Sequence, residues 1–363
     1  MKILVVGKFY VEGFARHIGQ TLEQMGHEVF RFEPGVKRKP TSGVLRQTFE
    51  SITTRLHRTA DQIDLYRKWS LRGLLQLARQ ARPDLIISCY DYLRPAEVVS
   101  LKRHSDARVV MWYPDALINF GRSYFMEAPY DALFFKDPYI VNKLDGVLGS
   151  PVFYLPECFN PLVHRLSETG LTQSDFQQYG CDITTAGNMY AYRIAFFRRL
   201  ADFEIKLWGS AMPSWIDAPE VRRMHQGEYV VESDKAKAFL AAKVVLDNVH
   251  PAEIWGINCR AFEAAGVGGF LMVDWKPGLS QLFEDGEEVV SFRDMEDLRE
   301  NLEYYLEQPT QRQRIAQAGQ RRAHADHTYR VRLQLLIDTM EGRQDGFPPP
   351  AIGWLPVDDP RGS

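Results

Sequence analysis

The chain has 363 residues, 45% of them apolar and 25% charged, with a formal net charge of −3. That length is too great for one small domain and suits two of ordinary size, and the composition excludes a disordered chain. No stretch approaches the ~18–20 uncharged apolar residues of a membrane-spanning helix.

The opening Met-Lys-Ile-Leu-Val-Val-Gly runs straight into a strand and lacks the regions of an export signal. A cytoplasmic location is expected, with a peripheral position at the inner membrane surface as the alternative. Cys89, Cys158, Cys181 and Cys259 show no CxxC spacing. They read as thiols in a reducing compartment, not as disulfides or zinc ligands. The segment 37–82 holds eleven Lys/Arg against three acids, so it carries +8 and the remainder −11. A basic segment on an acidic protein fits contact with an anionic surface. A solvated helix face or a subunit contact is the alternative. Nucleic acid ranks low, because aromatic residues are sparse among these charges.

In chain order, the continuous apolar run at 1–7 predicts a strand buried on both faces. A helix over 12–25 and a strand over 28–32 complete a βαβ unit. Residues 43–82 read as mostly helical, followed by a strand at 84–88, a helix at 95–104 and strands at 108–112, 132–135 and 152–155. The stretch 156–180 is polar and irregular, with one short helix. A second series then starts, with strands at 181–185, 204–208, 243–246, 270–273 and 288–292. Its helices fall at 192–202, 233–241, 258–265, 294–306 and 309–325. The expected fold is therefore α/β, with two doubly wound, Rossmann-like domains facing a central cleft. The domains are placed at 1–165 and 166–330, with a helix and extended tail over 331–363 that returns to the first domain. Ligands of such sheets bind at the carboxyl ends of the strands. Fold alone does not fix the chemistry.

Three loops at those ends are candidates. Gly256-Ile257-Asn258 leads into a helix carrying Arg260 and Glu263. Free N–H groups at a helix start attract a diphosphate, Arg260 can add a charge-assisted bond, and Glu263 can accept from ribose hydroxyls. Gly187-Asn188 follows the strand at 181–185, and Arg193 opens the next helix. Trp208-Gly209 ends another strand, where an aromatic ring can flank a nucleobase. For each loop, a plain turn or packing role is the alternative. Asp115 ends a strand of the first domain and can orient an acceptor or act as general base. Asp91 is a similar case. His250 can bind a phosphate or sugar hydroxyl, or make a structural hydrogen bond. His327, Tyr329 and Arg330 read as mainly structural.

Several motifs together carry a resemblance: Asp182-Ile-Thr-Thr-Ala-Gly-Asn188 with Arg193, Lys206-Leu-Trp-Gly209, Lys243-Val-Val-Leu-Asp-Asn248, Gly256-Ile-Asn-Cys-Arg-Ala-Phe-Glu263, Gly286-Glu-Glu-Val-Val-Ser-Phe292 and His327-Thr-Tyr-Arg330. Over roughly 181–340 the chain resembles the CgeB-type (spore-maturation-like) glycosyltransferases, of the GT-B group and related to family four. The first half resembles them more loosely, through Trp112-Tyr-Pro-Asp115 and Tyr154-Leu-Pro-Glu157. The resemblance implies a nucleoside-diphosphate-sugar donor held by the C-terminal domain and a glycan, protein or lipid-linked acceptor held by the N-terminal one. It implies no metal and no cofactor, and transfer with retention of configuration. Catalytic roles then fall to Asp115, Arg260 and Glu263. Donor contacts fall to Gly187, Asn188, Arg193, Trp208, Gly209, His250, Gly256, Ile257, Asn258, Arg260 and Glu263. Family four carries two glutamates with seven residues between them. Here nine separate Glu253 from Glu263, so Glu263 is favoured over Glu253. A nucleotide-sugar 2-epimerase and a non-catalytic sugar- or nucleotide-binding protein are the rival readings.

Overall fold

Ile3, Leu4, Val5 and Val6 are all fully buried, as a strand covered on both faces requires. In the computed structural model, which describes residues 1–34, 64–166 and 170–348, they belong to β1 (Lys2–Val6). Then come α1 (Phe14–Gln24), β2 (Glu28–Phe32), α2 (Asp64–Ala81), β3 (Leu85–Cys89), α3 (Pro95–Ser105), β4 (Arg108–Tyr113), β5 (Ala132–Phe135), α4 (Pro138–Leu144) and β6 (Val152–Tyr154). The strands form one sheet of order β2-β1-β3-β4-β5-β6. The β1–β2, β1–β3 and β3–β4 pairings are parallel.

The second series is α5 (Gln173–Tyr179), β7 (Cys181–Ala186), α6 (Ala191–Arg198), β8 (Ile205–Trp208), α7 (Pro219–Met224), α8 (Glu232–Ala241), β9 (Ala242–Asp247), α9 (Cys259–Val267), β10 (Leu271–Asp274), α10 (Leu279–Leu282), β11 (Val290–Phe292), α11 (Met295–Leu306), α12 (Pro309–Asp326) and α13 (Tyr329–Met340). Its sheet has the order β11-β10-β9-β7-β8, parallel throughout. Along β9 the side chains alternate between two cores. Val245 joins Phe239, Phe262 and Leu271, while Val244 and Leu246 join Phe197, Leu207 and Met272. That alternation makes the sheet doubly wound. Because β8 lies on one side of β7 and β9 on the other, the strand order reverses between β7 and β9. This is the switch point at which ligands of open α/β sheets bind.

The chain divides into two compact units. The first holds 1–115, 120–134 and 144–153; the second holds 116–119, 135–143 and everything from 154 on. This differs from the expected boundary at 165 and from a separate segment starting at 331. The reason is local packing. Phe159 exchanges backbone hydrogen bonds with His327 and Tyr329, and Arg332 Nε donates to the Pro156 carbonyl at 3.1 Å. These bonds tie α13 to the chain just after β6. The tail from 349 and the basic stretch 37–63, Lys37, Arg38 and Lys39 included, lie outside the described residues. Within α2, Arg67 is buried against Glu97 at 2.6 Å, so part of the expected basic surface faces inward.

Two elements end earlier or start later than the pattern predicts. Helix α6 stops at Arg198, and β11 begins at Val290 because Gly286 N–H closes a turn onto the Val289 carbonyl. Short α4, α7 and α10 were too brief to show a helical period in the sequence.

His327 is fully buried and its tautomer is set by its neighbours. Nε2 lies 2.6 Å from the Leu282 carbonyl, so it must carry the proton, and Nδ1 accepts from Arg332 at 2.7 Å. Burial, with the Arg332 charge second, pulls its pKa down to about 3. Between pH 3 and 6.5 the unfolded chain therefore binds a proton that the native state refuses. Stability is full above pH 6.5 and falls as the pH drops. The expected loss through this group is on the order of 2 kcal/mol by pH 5. Denaturant titrations at pH 7 and 5 check it, with His327→Gln showing the smaller drop between the two.

Candidate functional site

The switch point is built from the ends of β7 and β9. Beyond β7 the chain passes through Gly187, whose φ is +145°. A Cβ there would lie 2.6 Å from Arg260 Nη2 and 2.8 Å from Arg193 Nη1. Two guanidinium groups thus press against the glycine backbone. Gly209, after β8, is equally constrained: its Cβ would lie 1.7 Å from the Gly187 carbonyl oxygen. The Gly187 N–H extends the β7–β8 ladder to the Trp208 carbonyl at 2.8 Å.

The two arginines differ in their partners. Arg260, in the first turn of α9, donates from Nε to the Ala186 carbonyl and from Nη1 to Asp247 Oδ1, both at 2.5 Å. Asp247 ends β9 and is completely buried. Burial opposes the charge on Arg260, but Asp247 together with Tyr190, Cys259 and Glu263 outweighs it, and the pKa is raised. Arg193, 1% exposed, makes its hydrogen bonds to neutral groups among the described residues. It donates to Asn248 Oδ1 at 3.1 Å and to the Asn188 carbonyl at 3.0 Å, and its guanidinium lies 4.9 Å from the Tyr190 ring centroid. Burial, then the neighbouring Arg260, brings its pKa down to about 10. Arg193 remains cationic at neutral pH. Among the described residues the pair therefore has one hydrogen-bonded carboxylate for two positive charges, an arrangement suited to an anion. The buried Asp247 Oδ2 and Asn248 Nδ2 have no hydrogen-bond partner among the described residues.

Asn258 caps α9. Its Oδ1 accepts from the Arg260 N–H at 3.0 Å, and its Nδ2 donates to Asp247 Oδ1 at 3.2 Å. One of the helix N–H groups that the sequence offers to a diphosphate is thus already taken. Ile257 is buried in the core. Gly256 passes close to the 136–137 backbone, where a Cβ would lie 2.9 Å from the Lys136 carbonyl oxygen. Glu263, one turn after Arg260 in α9, is buried between Lys235 Nζ at 3.2 Å and His164 Nε2 at 3.6 Å.

Three expectations change. Trp208 is 2% exposed and packs in the core against Tyr179, so it offers no face to a nucleobase. His250 lies edge-on to Tyr190 at 4.7 Å, and its Nδ1 accepts from the Ala252 N–H at 3.0 Å, the structural alternative for this residue. Asp91 is held by the N–H groups of Tyr124 and Phe125 at 2.8 and 3.0 Å, and burial raises its pKa to about 6. That is the role of a loop anchor. Asp115 lies two residues beyond β4, half-buried, in the first unit.

Glu253 is fastened by Lys136, whose Nζ lies 2.6 Å from Glu253 and 3.2 Å from Glu157. Burial opposes the ammonium charge, but the two glutamates raise its pKa well above the ordinary lysine range. Asp137 accepts from the N–H groups of Ile254 and Trp255 at 2.9 and 3.2 Å. Lys136-Asp137 therefore clamps the chain that leads to Gly256. Neither residue, nor Asp247, Asn248 or Lys235, received a role from the sequence. The available signal was a polar pair directly after an apolar strand, as in Phe-Phe-Lys136-Asp137 and Val-Leu-Asp247-Asn248.

Residues 193–338 match a family model described as "Glycosyl transferase-like". The matched region contains Arg193, Asp247, Arg260 and Glu263, but neither Gly187 nor Asp115. No curated protein matches the chain significantly in sequence. Solved structures match it in fold. Sucrose-phosphate synthase of Thermosynechococcus elongatus is 12% identical, with a TM-score of 0.62 over 95% of this chain and 100% of its own. HepE of Anabaena, solved in complex with UDP-glucose, is 14% identical, with a TM-score of 0.59 over 94% and 100%. A glycosyltransferase of Rickettsia africae is 10% identical, with a TM-score of 0.63 over 94% and 98%. The fold is that of the GT-B glycosyltransferases.

Replacing Asp247 by Asn leaves two buried guanidinium groups with no carboxylate. Breaking a buried pair in this way costs ~3–5 kcal/mol. Urea denaturation of Asp247→Asn beside the parent measures the loss.

Proposed function

We propose that the chain is a glycosyltransferase that takes a sugar from a nucleoside-diphosphate donor, held by the second unit, and passes it to an acceptor hydroxyl. The observation that carries this reading is the Arg193–Arg260 pair, with its single carboxylate, at the β7–β9 switch point. The glycosyl transferase-like match over 193–338 supports it, as does a fold shared with HepE, which binds UDP-glucose. The CgeB-type resemblance belongs to the same reading.

On this reading the two arginines neutralise the departing diphosphate, and Asp247 and Asn248 hold them in place. Catalysis is then mainly positioning and stabilisation of developing charge. Glu263 accepts from the ribose hydroxyls. A carboxylate has about four acceptor positions, so its contacts to Lys235 and His164 leave capacity for a diol. Asp115 serves the acceptor. The charge on the leaving group is met by side chains, so turnover is expected to survive EDTA. Loss of activity in EDTA with recovery on adding magnesium or manganese would contradict this account.

A thermal-shift series with pyrophosphate and with the diphosphates of adenosine, guanosine and uridine tests the donor site. A ligand at ~100 times its Kd adds ~2.7 kcal/mol of stability. Arg193→Gln is expected to remove the stabilisation by nucleotide and pyrophosphate alike. Glu263→Gln is expected to weaken nucleotide about ten- to a hundredfold and to leave pyrophosphate unchanged. A folded parent that none of these ligands stabilises would overturn the reading.

A further inference from the structure

If the Trp208 indole is closed inside the core, the base of a bound nucleotide needs another surface. Three observations converge on Tyr229. It is 54% exposed, yet its hydroxyl is 2.5 Å from Asn188 Oδ1, so an exposed ring is tethered in one orientation. Its backbone is pinned on both sides. The Gly209 N–H donates to the Glu228 carbonyl at 2.8 Å, and the Gln226 N–H donates to the Leu207 carbonyl at 2.9 Å, while Val230 is buried in the core. Finally, its anchor Asn188 is the residue whose carbonyl accepts from Arg193 Nη1 at 3.0 Å. One residue thus carries the candidate phosphate arginine on its backbone and the tyrosine on its side chain. Trp215 is more exposed, at 77%, but has no such tether among the described residues.

We infer that Tyr229 is the stacking platform for the nucleobase of the donor, an affinity-determining contact beside the Arg193–Arg260 pair. The inference rests on the nucleotide-sugar reading. A tethered aromatic face binds a base without first losing side-chain freedom, and stacking tolerates different bases because each has a π-face. Phosphate affinity then belongs to the arginines, and the increment from pyrophosphate to nucleotide belongs in large part to Tyr229.

The test is isothermal titration of the full chain with uridine diphosphate and with pyrophosphate, for the parent, Tyr229→Ala and Tyr229→Phe. Thermal melts confirm that each variant is folded. Tyr229→Ala is expected to weaken uridine diphosphate about tenfold or more and to leave pyrophosphate unchanged, while Tyr229→Phe keeps most of the nucleotide affinity. Unchanged nucleotide affinity in Tyr229→Ala would overturn the inference. So would an equal loss for pyrophosphate, which would mean that the tyrosine acts only through Asn188. A phenylalanine variant as weak as alanine would assign the effect to the hydroxyl and overturn the platform. A parent that binds neither ligand would instead refute the nucleotide-sugar reading itself.

Discussion

Two guanidinium groups stand side by side at the point where the second sheet reverses its strand order, and among the described residues only Arg260 is paired with a carboxylate, Asp247; the local structure is arranged to tolerate this. Arg193 and Arg260 approach so closely beneath Gly187 that a side chain there would strike both. A buried cation without a carboxylate is costly. The structure limits that cost with neutral acceptors: two carbonyl groups, an asparagine amide oxygen and a tyrosine ring face. What they supply is orientation without neutralisation. The positive charge that remains gives the proposed donor site its preference for an anion, and gives Asp247 a double part in stability and positioning.

The elements around this pair are held by further buried charges. Lys136 and Asp137 fasten the Glu253 side chain and the 254–255 backbone, and so fix the approach to α9, whose first turn carries Arg260. His327 and Arg332 pin α13 to the carbonyl groups of Leu282 and Pro156. Buried polar groups of this kind contribute little net stability against apolar replacements, but they leave few alternative packings. Their placement along strand ends and helix starts fits a role in setting geometry. In the same region burial raises the pKa of Cys158 and Cys259 well above the ordinary thiol range.

Much of the architecture was legible in the sequence because burial on both faces of a parallel strand demands unbroken apolar runs. Ile-Leu-Val-Val at β1 and Val-Val-Leu at β9 can hardly be anything else in a chain of this composition. The short helices were not legible, since four to seven residues do not complete two helical turns. In the site, Gly187, Arg193 and Arg260 could be marked because a glycine after a strand and an arginine in a helix's first turn have few positions available. Trp208 could not be assigned correctly. Successive strand residues point to opposite faces, and whether the last one faces a core or a ligand depends on the helix packed against it. Here Tyr179 and the core residues around α8 and α9 cover that face.

By itself, then, the sequence determined that the chain builds two parallel α/β series and that glycine loops and arginines stand at the strand ends, since apolar periodicity and turn chemistry are local properties. Only the tertiary structure decided which charges meet. Asp247 and Arg260 are thirteen positions apart, Lys136 and Glu253 a hundred and seventeen, and Tyr229 and Asn188 forty-one. Pairing over such separations is set by the tertiary placement of strand ends and loops, which no local pattern encodes. For that reason the Arg193–Arg260 pair, its single carboxylate and the tethered Tyr229 ring emerge only once β7, β8 and β9 lie side by side.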